Sequence, residues 1–557
     1  MLGNAKRWCL WTMVLASLAS LSLSAAGAGR SVPDFGLILN DDGDFSITDM
    51  DPRKSAENLT AMIQLLKSTP VRTLAYSVGA GSDIMYYPTQ VANVWGWRDM
   101  PEYATGVWGE RISKAKAAAQ AQVDSVRIAG LAAKKLGLYF IPSYRMNDSH
   151  FIGKPLVYPL TGEFWLKNQD KTIGKSPVRG YDYSNLLDYS RPEVRAYRRD
   201  ILFEIIERYQ DVMDGLELDF NRVQIFFPPG TAQARAHLMT ELVEQVRQRL
   251  TDIGAANGRS YSLFVRVPPA LKNCRWSGLE VEAWMKRRLV DVVIPSQLMT
   301  LAHCMPMDEF VSIGAASGCR VYASIYPRTQ YMWPFVTSPS AKTYSGGAGR
   351  SASVELIRGA AANYWQMGVD GFQLFNFNLP FNQGHELVPQ ALSNPAAMVG
   401  KSRIHALTAA YFHDREDTYQ YRKQVPRELQ PDTASSFTLL VGTDLTAPET
   451  PKPDYCGLRL GFVGKVTKQQ RIVVTLNGKT LKAGRMGWRL LPTTGKRKGG
   501  KSHPTVAQAY LHLQIAHPHD ILRRGENTVT ITLKSSPTET VPLTLVEMQL
   551  GILYTDH

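Results

Sequence analysis

The sequence predicts an α/β protein: a (β/α)8 barrel of the TIM type, followed by a smaller C-terminal antiparallel β-sandwich. Up to about residue 400, eight short apolar runs of β-rich composition alternate with helical patterns, as in parallel strands joined by right-handed crossovers. No glycine-rich phosphate fingerprint opens a helix after the first run, which favours a closed barrel over an open nucleotide-binding sheet. Later runs alternate polar and apolar residues, which indicates antiparallel strands.

The eight predicted barrel strands are recognised by their apolar, β-rich composition. In chain order they are Phe35–Leu39, Thr73–Ser77, Leu138–Pro142, Gly215–Phe220, Leu263–Val267, Val290–Pro295, Val321–Tyr326 and Gly371–Phe375. Helical patterns between them include Arg111–Lys135, Pro192–Tyr209 and Ala232–Ile253. Eight such repeats match the strand count of the TIM barrel.

The chain is 557 residues long, more than one hydrophobic core usually organises. We expect a signal peptide at residues 1–28, the barrel domain at 29–423, a linker at 424–453 and the β-sandwich domain at 454–557. Arg403–Tyr411 is predicted as a last helix, and the linker is predicted from its proline, threonine and acidic residues. The sandwich either binds sugar or only braces the barrel.

The N-terminus has the layout of a secretory signal peptide. Lys6 and Arg7 precede an apolar run, Trp8–Leu23, which ends near small residues at 26–28. No later stretch reaches about 18 consecutive apolar residues. We therefore expect a secreted or periplasmic protein with no stable membrane insertion after cleavage of the signal.

The mature chain is basic. The net charge of +14 becomes +12 when Lys6 and Arg7 leave with the signal peptide, and a positive surface attracts anionic partners such as a sulfated or uronic polysaccharide. Export makes nucleic acid an improbable partner. The cysteines that remain are too widely spaced for a CxxC-type zinc site; they are Cys274, Cys304, Cys319 and Cys456. A disulfide among the first three is left open.

The fourth predicted strand carries two carboxylates on one face. Because strand residues alternate between faces, Glu217, Asp219 and Asn221 share a side, and the apolar residues between them take the other. The apolar side must meet the helices, so the acids should point into the barrel lumen. A cation should neutralise them there, and the candidates are Arg145, Arg222 and Arg266.

The third predicted strand ends in a second polar cluster, Arg145, Asn147, Asp148 and His150. Such a turn can owe its composition to backbone hydrogen bonds alone, but barrels of this type build their sites at these strand ends. Further candidate binding residues at strand ends are Asp41, Arg222, Arg266, Gln297, Tyr326, Gln373 and Asn376. Trp165, Trp333 and Phe375 are aromatic candidates for stacking on sugar rings or for core packing.

Four segments together resemble the glycosyl hydrolase-like family 10 proteins over roughly Val32 to Leu407. They are the turn at 145–148 followed by His150, the segment Asp188–Arg195, the strand DGLELDF with Asn221 and Arg222, and Gly278–Trp284 leading into Leu289–Asp291. The resemblance implies a TIM barrel in which Asp219 is the catalytic carboxylate. The sequence departs from the family pattern at Val223–Phe227, where a Tyr-Pro or Phe-Pro pair is usual.

These observations predict a glycoside hydrolase that acts on a polysaccharide or oligosaccharide, and the positive charge favours an anionic one. Glycoside cleavage needs one protonated and one ionised carboxyl group beside the scissile bond. Asp219 is the expected ionised group. Glu217 and Asp148 are equal candidates for the proton donor, with Asp41, Asp308 and Glu386 as loop alternatives. No cofactor is expected.

The sequence is also compatible with two other functions. The first is an exported carbohydrate-binding barrel without turnover, which would be favoured if Glu217 and Asp219 were tied to arginines and closed off from the cleft. The second is a metal-dependent hydrolase that uses Asp41, Asp42, His150 and Asp219. The sequence leaves the sugar, the linkage and the oligomeric state open.

Overall fold

Eight parallel strands close into a barrel in the computed structural model, with each strand hydrogen-bonded to its neighbours in sequence order and the first to the last. They are β1 (Leu37–Asp41), β2 (Val71–Ser77), β3 (Tyr139–Arg145), β4 (Gly215–Asp219), β5 (Ser262–Val267), β6 (Val292–Pro295), β7 (Arg320–Ile325) and β8 (Gly371–Phe375). The predicted (β/α)8 barrel is confirmed, and so are its eight strands to within three residues at each end.

The structure describes residues 31–48, 51–100, 106–148, 159–175, 182–329, 335, 351–382, 384–408, 424–464, 471–490, 507–535 and 543–555. The predicted signal peptide lies outside these residues, as do His150 and Trp333. Within the described segments, every helix is too short or too polar to cross a membrane. Phe35 and all later described residues belong to one compact unit.

Helices and 3-10 turns connect the barrel strands, and the last two of them follow β8. They are Asp44–Thr48, Ser55–Gln64, Leu65–Ser68, Gly106–Gln120, Ser125–Lys135, Glu163–Lys167, Gln169–Lys171, Pro192–Tyr209, Gln233–Arg235, Ala236–Asn257, Leu271–Trp276, Val281–Lys286, Met307–Ser317, Val354–Gln366, Val388–Ala391 and Pro395–Met398. The helix predicted at Arg111–Lys135 is two helices. Gln122 breaks it with a φ of 54°, and the Asp124 carboxylate caps the second helix by accepting from Arg127 N at 2.8 Å.

Short strands outside the barrel shape its loops. Gly79–Ala80, Ile84–Met85 and Asn93–Val94 form a small sheet after β2, and Thr172–Lys175 pairs antiparallel with Asp182–Leu187 before the helix at 192–209. Both groups follow strands that end at the mouth, by which we mean the carboxyl-terminal end of the barrel.

The opposite end of the barrel is filled with aromatic side chains. The ring of Phe35 lies 4.9 Å from that of Tyr139 and 4.7 Å from that of Phe264, each in an edge-on arrangement. The amide of Phe35 donates to the Tyr322 hydroxyl at 3.2 Å. The lower lumen is therefore packed core, which leaves the mouth as the place for a site.

Ten further strands form two antiparallel sheets, as predicted for a C-terminal sandwich. They are β9 (Arg403–Thr408), β10 (Arg427–Leu429), β11 (Ala434–Val441), β12 (Tyr455–Val463), β13 (Arg471–Leu476), β14 (Lys479–Thr480), β15 (Lys482–Leu490), β16 (Ala509–Gln514), β17 (Gly525–Lys534) and β18 (Leu543–Leu553). One sheet has the order β9-β18-β12-β16-β15 with β10 beside β18, and the other has the order β11-β17-β13-β14. A short helix, Pro518–Ile521, precedes β17. Leu460 and Ile531 belong to the core between the sheets.

The predicted helix at Arg403–Tyr411 is wrong over its described part, because Arg403–Thr408 is strand β9, paired with β18. Ile404 and Ala406 pack with the barrel core, whereas Leu407 belongs to the sandwich core. A strand buried on both faces lacks the alternating pattern that identifies half-buried strands. The predicted linker at 424–453 likewise contains β10 and β11, so strands of the sandwich begin earlier in the chain than predicted.

The described cysteines are free thiols. Cys274, Cys319 and Cys456 are buried, and Cys304 is half-buried. Burial raises the pKa of the Cys274 thiol. The disulfide left open among Cys274, Cys304 and Cys319 is therefore not formed in this structure.

Asn363 joins the barrel to the sandwich. This buried side chain donates to the carbonyl oxygen of His303 at 2.8 Å, and its Oδ1 accepts from Gly442 N at 2.8 Å and from His405 Nδ1 at 2.9 Å. Helix Val354–Gln366, strand β9 and the segment after β11 therefore meet at one amide.

Replacing Asn363 by leucine should destabilise the protein by about 3 kcal/mol, because it leaves buried hydrogen-bonding groups without a partner. Urea unfolding monitored by tryptophan fluorescence would measure the loss. Glu355→Gln, near the start of the same helix, should leave the free energy of unfolding almost unchanged. Equal stability of the two variants would contradict the role assigned to Asn363.

Candidate functional site

Glu217 lies inside the barrel lumen, as predicted from the alternation along β4. The Ser143 hydroxyl of β3 donates to Glu217 Oε1 at 2.5 Å, and the Gln373 amide of β8 donates to Oε2 at 2.6 Å. The side chain is fully buried. Burial raises the pKa of the Glu217 carboxyl above its usual value of 4.5. The charge of Arg266 and the hydrogen bonds from Ser143 and Gln373 oppose this shift, and the charge of Asp219 adds to it, but burial is the largest effect. Glu217 is thus biased towards holding a proton.

Asp219 has a different environment two residues further along β4. Its Oδ1 accepts from the backbone amide of Asn221 at 2.8 Å and from Arg266 Nε at 3.1 Å, while Arg266 Nη2 binds Oδ2. The other side of the guanidinium faces Phe375, whose ring centroid is 3.7 Å from Arg266 Cζ. Arg266, on the adjacent strand β5, is thus the direct cationic partner of Asp219.

A chain of charges crosses the mouth above these two acids. Arg145 Nη1 lies 3.0 Å from Asp148 Oδ2, and Arg145 Nη2 lies 2.7 Å from Asp42 Oδ1. Arg222 Nη2 is 3.9 Å from Asp42 Oδ2. Burial opposes ionisation of Asp42, but the charges of Arg145, Arg222 and Arg266 outweigh it and lower the pKa of Asp42. The same carboxylates hold the pKa of Arg145 well above its usual value despite burial.

Asp148 also stabilises the loop after β2, because its Oδ2 accepts from Gly81 N at 3.1 Å. Its carboxylate therefore has both an arginine and a backbone amide as partners. Because these two contacts hold the Asp148 carboxylate in place, it is a weaker candidate for the proton donor than Glu217.

Three further predicted residues lie at the mouth. When the side-chain amide of Asn376 is oriented so that both its nitrogen and its oxygen have hydrogen-bond partners, the nitrogen donates to Asp42 Oδ2 at 2.8 Å. The buried hydroxyl of Tyr326 is 3.2 Å from the sulfur of Met299, and its ring centroid is 5.8 Å from that of Phe375. Gln297 is buried in the segment after β6. These residues belong to the walls of the mouth.

Other predicted binding residues have bonds that shape loops. Asn147 Nδ2 donates to the carbonyl oxygen of Ile225 at 2.7 Å and so anchors the segment at which the sequence departs from the family pattern. Asn221 Oδ1 accepts from Gln224. Asp41 Oδ1 accepts from Gly43 N at 2.8 Å, which is a turn contact within its own loop. Trp165 is buried in the barrel core and offers no stacking surface.

Asp42 and Ser143 also belong to the site, although the sequence predicts Asp42 only as part of the alternative metal-binding set and does not single out Ser143. Asp41 was preferred to Asp42, although Asp42 is the residue that binds Arg145. The alternation along β1 carries the signal, because Ile38 and Asn40 point inward and the next position in that series is 42. Ser143 precedes Arg145 by two positions and shares its face in the same way.

Several buried polar atoms around the two β4 carboxylates have no hydrogen-bond partner among the described residues. They are Asn40 Oδ1, Asn221 Nδ2, Arg266 Nη1, Ser296 Oγ and Gln373 Oε1. Each of these side chains is at most 3% exposed. A buried polar atom without a partner is unfavourable, so these atoms mark hydrogen-bonding capacity that the described protein groups leave unused.

The described residues contain no group of three histidine, cysteine, aspartate or glutamate side chains that could hold a metal ion. His150, a member of the predicted metal set, lies outside the described residues. Asp42 and Asp219, two other members, are engaged with arginines.

As pH rises, the free energy of unfolding of Glu217→Gln should increase relative to that of wild type. Because the native state holds the Glu217 proton more tightly than the unfolded chain, wild-type stability falls from about pH 4.3, the unfolded value, through the raised native pKa. The variant lacks this loss, and Gln373 can turn its amide to accept from the new side chain. Urea unfolding at intervals from about pH 4 to 8 would measure the difference.

The exposed Glu57 provides the control for this series, since Glu57→Gln should run parallel to wild type. A difference between Glu217→Gln and wild type that does not change with pH would show that burial does not shift this carboxyl.

No family model matches the chain, and no curated protein matches it either. The resemblance to the glycosyl hydrolase-like family 10 therefore stays a prediction. Solved structures are similar at low sequence identity. One is a cycloisomaltooligosaccharide glucanotransferase from Paenibacillus in complex with cycloisomaltoheptaose. It is 9% identical, and the match covers 92% of this chain and 57% of that chain with a TM-score of 0.34. Another is a cell-surface-expressed multi-modular chitinase from Paenibacillus. It is 10% identical, and the match covers 91% of this chain and 54% of that chain with a TM-score of 0.38.

An endo-1,4-beta-mannanase from Rhizomucor miehei is also similar, at 10% identity over 66% of this chain and 96% of that chain, with a TM-score of 0.37. The chain spans little more than half the length of the two Paenibacillus enzymes. At these identities and TM-scores the likeness carries no argument about activity, and the TIM-barrel assignment rests on the strand topology.

Proposed function

We propose that the mouth of the barrel binds a carbohydrate and that the protein is a glycoside hydrolase, with Asp219 as the ionised carboxylate and Glu217 as the proton donor. The observation that carries this proposal is the set of unpartnered buried polar atoms around two carboxyl groups with opposite environments. Arg266 is paired with Asp219, whereas burial favours the protonated form of Glu217. Two nearby carboxyl groups in such different environments are typical of the acid and base pairs of enzymes.

The unpartnered atoms suit hydroxyl groups. Arg266 Nη1 and Asn221 Nδ2 are donors, whereas Asn40 Oδ1 and Gln373 Oε1 are acceptors. A sugar hydroxyl both donates and accepts, so the hydroxyl groups of a carbohydrate match both kinds of atom. A ligand with acceptors alone would leave Asn40 and Gln373 unsatisfied.

Glu217 is preferred to Asp148 as proton donor on electrostatic grounds. Two neutral groups, Ser143 and Gln373, contact Glu217, while Asp148 is paired with Arg145. A proton on Asp148 would break that ion pair, whereas a proton on Glu217 relieves the repulsion from Asp219.

A second function, carbohydrate binding without turnover, is favoured by a specific observation. Glu217 is 0% and Asp219 1% exposed, and both oxygens of each carboxylate have partners. A nucleophile or proton donor must reach the glycosidic bond, and partners on every oxygen oppose this. The two functions share the ligand and differ only in cleavage.

The wider setting is also part of the proposal. The N-terminal pattern supports export to the periplasm or the exterior, and the net charge of +14 supports an anionic glycan. Neither nucleic acid nor membrane insertion has a part in this function.

Asp219→Asn should reduce cleavage by at least about 1,000-fold and leave carbohydrate binding within a few-fold of wild type, because the change is nearly isosteric but removes the charge that stabilises the transition state. Release of reducing ends from neutral, uronic and sulfated polysaccharides would measure turnover. Affinity electrophoresis with the same polysaccharides would measure binding.

Asp370→Asn is the matched control. Asp370 immediately precedes β8 at the far end of the barrel, where it pairs with the partly exposed Arg320, so its replacement should leave cleavage unchanged. Cleavage that persists in Asp219→Asn would refute the assigned role. Binding without cleavage in wild type would establish the second function instead.

A further inference from the structure

A second polar cavity lies where the helix Val354–Gln366 meets the sandwich, away from the barrel mouth. Its volume is about 390 Å³, within the range of small-molecule sites. The helix contributes Trp365, strand β9 contributes Arg403, and the segment after β11 contributes Thr443.

Arg403 is the buried charge of this cavity. Its side chain is largely buried, and it donates from Nε to the Lys401 carbonyl oxygen at 3.1 Å, from Nη1 to Thr443 Oγ1 at 3.4 Å, and from Nη2 to the Met398 carbonyl oxygen. None of these partners is a carboxylate, and within the described segments Arg403 forms no ion pair. A guanidinium has five N–H groups, so two remain for a ligand.

The uncompensated charge is reflected in the acidity of the group. Burial lowers the pKa of Arg403 to about 10, and the neighbouring guanidinium of Arg358 acts in the same direction. A buried cation without a carboxylate partner is unfavourable, and an anion that enters the cavity would offset this cost.

The remaining walls provide an aromatic surface and further polar groups. Trp365 packs edge-on against Phe372, with ring centroids 4.9 Å apart. Its buried Nε1 has no hydrogen-bond partner among the described residues. Arg524 and Glu449 are exposed at the edge of the cavity, and Asp444 is half-buried and close enough to Arg524 to feel its charge. The buried charge of the cavity is therefore Arg403, with charges of both signs nearer to solvent.

We propose that this cavity binds a saccharide unit that carries a carboxylate or a sulfate group. Arg403 and Arg524 would bind the anionic group, while Trp365 offers an aromatic surface to the sugar ring. Asp444 also lines the cavity and can accept from its hydroxyl groups. This site is distinct from the mouth and does not depend on the hydrolysis proposed there.

The test is titration calorimetry of the full chain in the Asp219→Asn background with four probes: a uronic acid disaccharide, a sulfated disaccharide, a neutral disaccharide and inorganic sulfate. The anionic disaccharides should bind more tightly than the neutral one. Arg524→Gln should weaken their binding about tenfold, as expected for a lost charge-assisted hydrogen bond. Arg523→Gln is the matched control, because Arg523 is the exposed neighbour that does not line the cavity.

Equal affinities of the Arg524→Gln and Arg523→Gln variants would overturn the proposal. So would inorganic sulfate that binds as tightly as the saccharides, because the site would then recognise only an anion. Binding that falls in Gln373→Ala but not in Arg524→Gln would place the ligand at the mouth, which would reject this cavity and leave the proposed function standing. The two anionic disaccharides distinguish carboxylate from sulfate recognition.

Arg403→Lys tests the buried charge while keeping it positive. Lysine is a point charge without the planar fork of arginine, so affinity for the anionic disaccharides should fall about tenfold or more. The thermal unfolding midpoint of this variant, measured in parallel, separates lost binding from lost folding. Unchanged affinity in a folded Arg403→Lys protein would overturn the role of Arg403.

Discussion

The ion pairs of Arg145 hold the mouth of the barrel together. This one guanidinium binds Asp42 from the end of β1 and Asp148 from the loop after β3, and so links strands that are separated by β2. Without it, two buried carboxylates would face each other in a region of low polarity, a situation that typically costs about 3–5 kcal/mol. The walls that surround Glu217 and Asp219 depend on this neutralisation, since Asn376 and Arg222 are positioned through Asp42.

Local patterns in the sequence identify the barrel and the direction of its β4 acids, but not the partners of these acids. The alternation along β4 places Glu217 and Asp219 in the lumen, and the structure agrees. Arg145, Arg222 and Arg266 were equal candidates for the neutralising cation. Strand register places both Arg145 of β3 and Arg266 of β5 beside Asp219. Arg266 forms the hydrogen bonds to Asp219, whereas Arg145 binds Asp42 and Asp148. Partners from distant segments decide between the arginines, which explains why a single sequence cannot choose among the three.

The boundary between the barrel and the C-terminal sandwich is hard to predict for a related reason. Strand β9 contributes side chains to the barrel core and to the sandwich core, so its hydrophobic residues do not alternate. Asn363 likewise looks like an ordinary polar residue within a helix, although its amide connects His303, Gly442 and His405. Both features depend on contacts between distant segments, and local composition carries little information about them.

Arg266 binds Asp219 through its N–H groups and packs against the ring of Phe375. This arrangement affects how the pair responds to salt. Mobile ions screen charges in water over about 8 Å at physiological ionic strength, and they screen buried pairs far less. Arg266 is 1% exposed and lies against an aromatic ring, so dissolved ions have little access to its charge. The electric field at Asp219 is therefore set by the protein itself and should be nearly the same in dilute buffer and in brine.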